Sequence, residues 1–200
     1  MAEPRGTRER IIDATARALT ESGYAQLTMA DIAAESETST ALLHYHFDTK
    51  EDLLIAFLND LLDRLAADLD AAVASEDPKT ALAAILDMYV LDASEPERES
   101  VHRSIIELRA QAPHNERIRR RMKRADRLVR EALTQIITDD AITFQGTDTA
   151  PDRLALAVLA TMDGARSRQL ALGESGYAAT VRDVVIEQFA HRSDQPAGTR

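Results

Sequence analysis

The stretch Thr28–Lys50, TMADIAAESETSTALLHYHFDTK, decides the fold. It reads as two short helices joined by a tight turn. Thr28 is a good N-cap, and Asp31 three positions later puts a carboxylate where a helix N-terminus favours one. Ile32, Ala33 and Ala34 give the first helix a small apolar packing face. Ser36 to Ser39 contains no long apolar residue and suits the turn. Thr38 or Ser39 can cap a second helix, which carries Ala41, Leu42, Leu43, Tyr45 and Phe47 and ends near Asp48. A short helix, a turn of about three to four residues and a second helix is the arrangement of a DNA-reading helix-turn-helix. A plain helical hairpin has the same spacing, so spacing alone leaves both readings open.

Working outward, Ile11, Ile12, Thr15, Ala18 and Leu19 recur at helical spacing and predict a helix over residues 7–22, stopped by Gly23. Arg5, Arg8, Arg10 and Arg17 lie in or before it, either as DNA-backbone contacts or as solvated surface charges. After the quoted stretch, Leu53, Leu54, Phe57, Leu58, Leu61, Leu62, Leu65 and Leu69 mark one long amphipathic helix from about Thr49 to Ala74. Pro78, Pro96 and Pro151 suit first helical turns, and Pro113 separates two runs. Helices are expected at about 79–93, 96–111, 115–137, 151–172 and 177–191, with a loop over 142–148 and a polar tail over 193–200. No stretch alternates as a strand.

The pattern Thr28-Met29-x-Asp31-Ile32-Ala33, then Ser39-x-x-x-Leu43-x-x-His46-Phe47-x-x-Lys50-Glu51-x-Leu53-Leu54, resembles the DNA-binding domain of the tetracycline-repressor (TetR) family. The resemblance runs from Thr7 to about Leu62. It implies an all-α protein: a helix-turn-helix DNA-binding domain over residues 1–50, a larger helical regulatory and dimerisation domain over 51–192, and a disordered tail over 193–200. It also implies that Thr28, Ser39, Thr40, His44, Tyr45, His46 and Lys50 lie at or next to DNA, Thr40 and His44 facing base edges. Ala41, Leu43 and Phe47 would pack the domain. The chain departs from the family in having Glu37 where the turn usually has Gly, and His44 before Tyr45 where Tyr usually precedes His. No Lys or Arg lies between Arg17 and Lys50.

By the same resemblance, the last two helices would pair with their copies in a four-helix dimer interface. Leu154, Ala157, Val158, Thr161, Val181, Val184, Val185 and Phe189 are the candidates, and one protomer's own core is the alternative use for them. A small-molecule effector would bind among the middle helices. Met88, Tyr89, Ile105, Met122 and Met162 are the apolar candidates there, with His102, Arg109 and Arg166 as polar contacts. Glu107–Ala112 and Asp163-Gly164 loosely resemble the regulatory domain of the betaine-pathway branch of the family. That likeness carries no choline site, because an aromatic cage needs several aromatic faces and the chain has no Trp.

Composition narrows the rest. Two hundred residues suit one or two small domains. The absence of Cys excludes disulfides, thiolate zinc sites and cysteine catalysis. No apolar run approaches the roughly 20 residues of a membrane span, and the N-terminus has no apolar signal core, so a cytoplasmic protein with no membrane partner is expected. There is no phosphate-binding glycine loop, no metal-ligand cluster and no nucleophile motif, so no cofactor, metal or enzyme activity is expected. His44 and His46, two apart, point to different helix faces and do not chelate one metal.

The net charge of −10 runs against phosphate binding unless cations are gathered on one face or the chain works at high salt. Residues 117–130, RIRRRMKRADRLVR, set eight cations against Asp126 alone. A solvated face paired with nearby acids, an anionic-ligand site and an extra contact with DNA or a partner are the three readings. The expected protein is a ligand-responsive, homodimeric repressor that binds a double-stranded DNA operator. The alternative is a helical protein-interaction module without sequence-specific DNA binding.

Overall fold

The computed structural model describes residues 6–91, 94–138, 142–144 and 149–191. Its elements run α1 (Thr7–Gln26), α2 (Met29–Glu35), α3 (Thr40–His46), α4 (Lys50–Val73), α5 (Pro78–Asp87), α6 (Pro96–Gln111), α7 (Glu116–Thr138), β1 (Ile142–Phe144), α8 (Pro151–Leu172), α9 (Tyr177–Gln188) and β2 (Phe189–His191). Among the described residues no helix is long and apolar enough to cross a membrane.

The chain is all-α with one small addition. β1 and β2 pair antiparallel, Thr143 opposite Ala190. Residues 142–144 therefore form a strand rather than the start of a loop, and the expected last helix stops three residues early, at Gln188. Helix α5 also ends before the expected residue 93. Met88, Tyr89 and Val90 each donate their N–H to the carbonyl three residues back, a tight turn that does not continue the helix. Asp139, Asp140, Gly146 and the tail lie outside the described residues.

The chain forms two compact units that interleave in sequence. The first takes residues up to Arg64 together with Ser94–Arg124, and the second takes Leu65–Ala93 with the remainder from Ala125. The core of the first unit contains Ile11, Leu19, Ile32, Leu43, Phe47, Leu53, Leu54, Leu108 and Ile118. The core of the second contains Leu82, Ile85, Leu86, Leu133, Leu159, Met162 and Phe189. Burial of these side chains, at roughly 1.5–3 kcal/mol for each large one fully removed from water, is the main attraction holding each unit together.

In the first unit α6 lies along α1 through a row of small polar groups. Ser104 Oγ donates to the Ala16 carbonyl at 3.1 Å, and the Thr20 hydroxyl meets Ser100 Oγ at 2.9 Å. One turn further, the Tyr24 N–H donates to Glu107 Oε2 at 2.7 Å. That N–H is available because α1 is broken at Gly23, whose backbone (φ 69°, ψ 158°) is a conformation essentially confined to glycine.

Candidate nucleic-acid interface

The two helices of the quoted stretch are locked by local hydrogen bonds. Thr28 and Asp31 form a reciprocal capping box: the Asp31 N–H donates to Thr28 Oγ1, and the Thr28 N–H to Asp31 Oδ2. These Thr28 bonds hold the Asp31 carboxyl below the usual carboxylate range. Helix α2 ends in a Schellman turn. The Thr38 N–H reaches the Ala33 carbonyl at 2.9 Å and the Glu37 N–H the Ala34 carbonyl at 3.1 Å. This turn requires a left-handed residue after the cap, and Glu37 takes that conformation with φ 52°. It is the position at which the family usually has Gly. Ser36 Oγ donates to the Ile32 carbonyl at 2.7 Å and meets Thr38 Oγ1 at 2.8 Å, which closes the turn.

Of the two expected caps for α3, Ser39 is used: its Oγ accepts from the Leu42 N–H at 3.1 Å. Leu43 and Phe47 anchor α3 in the core. Thr40, His44 and Tyr45 face solvent, and Tyr45 is 81% exposed. Ala41 was expected to pack, yet it is exposed on the same face as Thr40, His44 and Tyr45. One residue per 100° of turn puts it there. His46 is half-buried, its ring edge-on to that of Tyr45 at 5.2 Å.

Lys50 opens α4, but it is more than an exposed cation. Its Nζ donates to the carbonyls of Tyr24, 3.1 Å, and Leu27, 2.9 Å, and lies 5.1 Å from the centre of the Tyr24 ring. It thereby caps the end of α1. Nothing in the spacing of the sequence signals this bond across 23 to 26 residues. Of the early arginines, Arg8 stacks over Phe47 at 5.3 Å and Arg17 pairs with Glu35 of α2 at 2.5 Å. Arg10 is exposed, and Arg5 lies outside the described residues.

The basic segment is divided by the helix it forms. Arg117 reaches Glu51 and Asp52 in the first turn of α4, at 3.2 and 2.9 Å. Arg121 donates to Asn59 Oδ1 at 3.2 Å, Arg119 pairs with Glu116, and Arg130 pairs with Asp126. Burial and the neighbouring Arg117, Arg120 and Arg124 push the Arg121 guanidinium below its ordinary value. Arg120, Lys123, Arg124 and Arg127 point to solvent.

The effector candidates fall in both units. In the second, Met162 and Tyr89 are buried and Met88 is half-buried, while Arg166, only 5% exposed, stacks over the Tyr89 ring at 4.8 Å and donates to Asp163 at 2.5 Å. In the first, His102 is buried, Ile105 and Met122 are half-buried and Arg109 is exposed. The dimer candidates also divide. Val158, Val185 and Phe189 are buried within one protomer's own core, and Leu154 and Val181 pack against that core. Ala157, Thr161 and Val184 remain exposed, and Leu156, Ala160 and Gly164 share that exposure on α8.

A stapled helix-turn-helix presenting a polar face defines a DNA-binding regulator. Residues 11–57 match the family described as bacterial regulatory proteins, tetR family, and residues 78–192 match the BetI-type transcriptional repressor C-terminal family. The chain belongs to the TetR family, a family of transcription regulators rather than enzymes.

Among its relatives, the HTH-type transcriptional regulator BetI of Brucella anthropi is 39% identical over 80 residues, 40% of this chain and 41% of that protein. The matched part thus spans about two-fifths of the curated relatives' length. The crystal structure of a TetR transcription regulator from Haloarcula marismortui is 34% identical, with a TM-score of 0.77 over 91% of this chain and 95% of that one. A TetR regulator from Legionella pneumophila has the same TM-score at 20% identity, over 94% of this chain and 100% of that one, a likeness of fold.

Proposed function

We propose that the protein is a cytoplasmic, homodimeric repressor that holds a two-fold DNA operator until a small molecule releases it. The observation that carries this reading is the α3 face: Thr40, Ala41, His44 and Tyr45 stand in solvent on a helix whose opposite face, Leu43 and Phe47, is buried. Such a face suits the major groove, where hydroxyl and imidazole groups read base edges. Ser39, Thr28 and His46 flank it, suited to sugar and phosphate contacts. An ammonium has three donors, and Lys50 uses two on carbonyls, so one N–H is left for a phosphate.

Two copies are required to place two such helices about one turn of DNA apart. The apolar, solvent-facing residues Leu156, Ala157, Ala160 and Gly164 of α8 and Val184 of α9 are suited to pair the copies. The effector reading rests on buried Arg166 over the Tyr89 ring, in the unit whose core contains Met162 with Met88 packed against it, with residues 51–192 as the regulatory domain and residues 1–50 as the DNA reader. An effector shifts the balance only by binding the DNA-released state more tightly. Selection of binding sites from random duplex DNA tests the reading, followed by a small-molecule screen for release. Recovery of a two-fold site is the expected result, and recovery of no preferred sequence would refute it.

A further inference from the structure

We infer that Glu107 of α6 is a positioning residue for the DNA contact made by Lys50; this rests on the repressor reading above. The peptide of Tyr24 is held from both sides. Its N–H donates to Glu107 Oε2 at 2.7 Å, and its carbonyl accepts from Lys50 Nζ at 3.1 Å. The same ammonium takes the Leu27 carbonyl at 2.9 Å and lies over the Tyr24 ring. Residues 24–27 therefore form a cradle that fixes the direction of the third Lys50 N–H.

The cradle is not fixed by α1 alone. Gly23 breaks the helix immediately before it, so the cradle is placed by the burial of Leu27, by the Leu27 N–H on the Gly23 carbonyl and by its ties to other helices. On the α6 side the tie is Glu107, last in the row that begins with Ser100 and Ser104 on Ala16 and Thr20. A Cβ on residue 23 would lie 3.6 Å from that carboxylate, so Glu107 closes directly on the break. A charge-assisted bond to a backbone N–H is stronger than a neutral one. Movement of α6 relative to α1 would thus be delivered to Lys50 through one peptide group.

The test is a double-mutant cycle on operator binding as a function of salt, using the full chain and the selected operator. Each lost phosphate contact reduces the magnitude of the negative slope of log K against log salt by about 0.9. Lys50→Gln, which removes one contact from each protomer of the dimer, is expected to reduce that magnitude by about 1.8. Glu107→Ala is expected to lower it similarly, and Lys50→Gln added to Glu107→Ala is expected to change nothing more.

Glu107→Gln keeps an acceptor for the Tyr24 N–H and should retain the wild-type slope. It also serves if Glu107→Ala fails to fold. Ser104→Ala loosens the same helix pair away from Tyr24 and should leave the Lys50 dependence intact. A wild-type slope in Glu107→Ala, additive effects in the double variant, or no slope change in Lys50→Gln would overturn the inference. A wild-type protein that selects no DNA would instead overturn the repressor reading.

Discussion

At the scale of single residues, Glu37 stands in a conformation that its side chain disfavours. The Schellman turn between α2 and α3 fixes φ at 52° there, and an L side chain in that region costs about 1 kcal/mol relative to glycine. Glu37→Gly should therefore raise the free energy of unfolding by about 0.5 to 1 kcal/mol, partly offset by the looser unfolded chain. Glu37→Gln, which removes the charge but keeps the Cβ, should not stabilise. Denaturant titrations of the two variants measure the difference; equal midpoints would show that the gain, if any, is electrostatic. On the neighbouring helix, Tyr45 is so exposed that its hydroxyl contributes nothing to packing. Tyr45→Phe or His44→Ala should lower operator affinity by about 1–3 kcal/mol with an unchanged unfolding midpoint. Wild-type affinity in both would remove α3 from base recognition.

At the scale of elements, the first turn of α4 carries a pH dependence. Thr49 Oγ1 donates to Asp52 Oδ2 at 2.6 Å and accepts the Asp52 N–H at 3.1 Å, and Arg117 of α7 reaches Asp52 Oδ1. The Thr49 bond first, then Arg117, depresses the Asp52 carboxyl below its ordinary 3.8. A depressed folded value means that the stability it brings is fully present above the ordinary value and is lost as pH falls through the folded one. The stability gap between wild type and Asp52→Asn should thus be constant near neutrality and close in acid, below about pH 4. A gap unchanged in acid would mean that Asp52 is not the group responsible. Most elements were legible beforehand because their ends are chemical: Thr28, Ser39 and Thr49 cap, and Pro78, Pro96 and Pro151 open first turns. The β1–β2 pairing was not legible, since three-residue strands about 45 positions apart carry no period. Nor was the α1–α6 row, because Ser100, Ser104 and Thr20 are polar residues that read as surface until a partner helix satisfies them. The role of Lys50 as a cap was hidden for the same reason: its acceptors are backbone carbonyls, which every sequence has.

At the scale of the whole molecule, the proposed dimer interface turns on two adjacent valines with opposite surroundings. Helices α8 and α9 pack against each other, and α9 also packs on α5. Val185 is on the inward side, 8% exposed and part of the core cluster that also contains Leu82, Leu86 and Met162, whereas Val184 is 52% exposed. Helical residues one apart differ by about 100° in direction, so one position is core and the next is outside. The apolar content of α8 concealed this: Leu154, Leu156, Ala157 and Val158 follow one another so closely that the sequence has no single apolar stripe to assign. A carboxylate at 184 costs the isolated protomer little, because it remains in water, but in a face-to-face pairing it meets apolar surface unpaired. Val184→Asp should therefore yield folded monomers in light scattering, with helical circular dichroism intact and affinity for the two-fold operator sharply reduced. Val185→Asp buries the same charge inside the protomer and should cost about 3 kcal/mol or more, which appears as unfolding rather than dissociation. A Val184→Asp protein that remains dimeric would move the interface off this face of α8 and α9, and monomers from Val185→Asp at an unchanged unfolding midpoint would show that Val185, not Val184, meets the second copy.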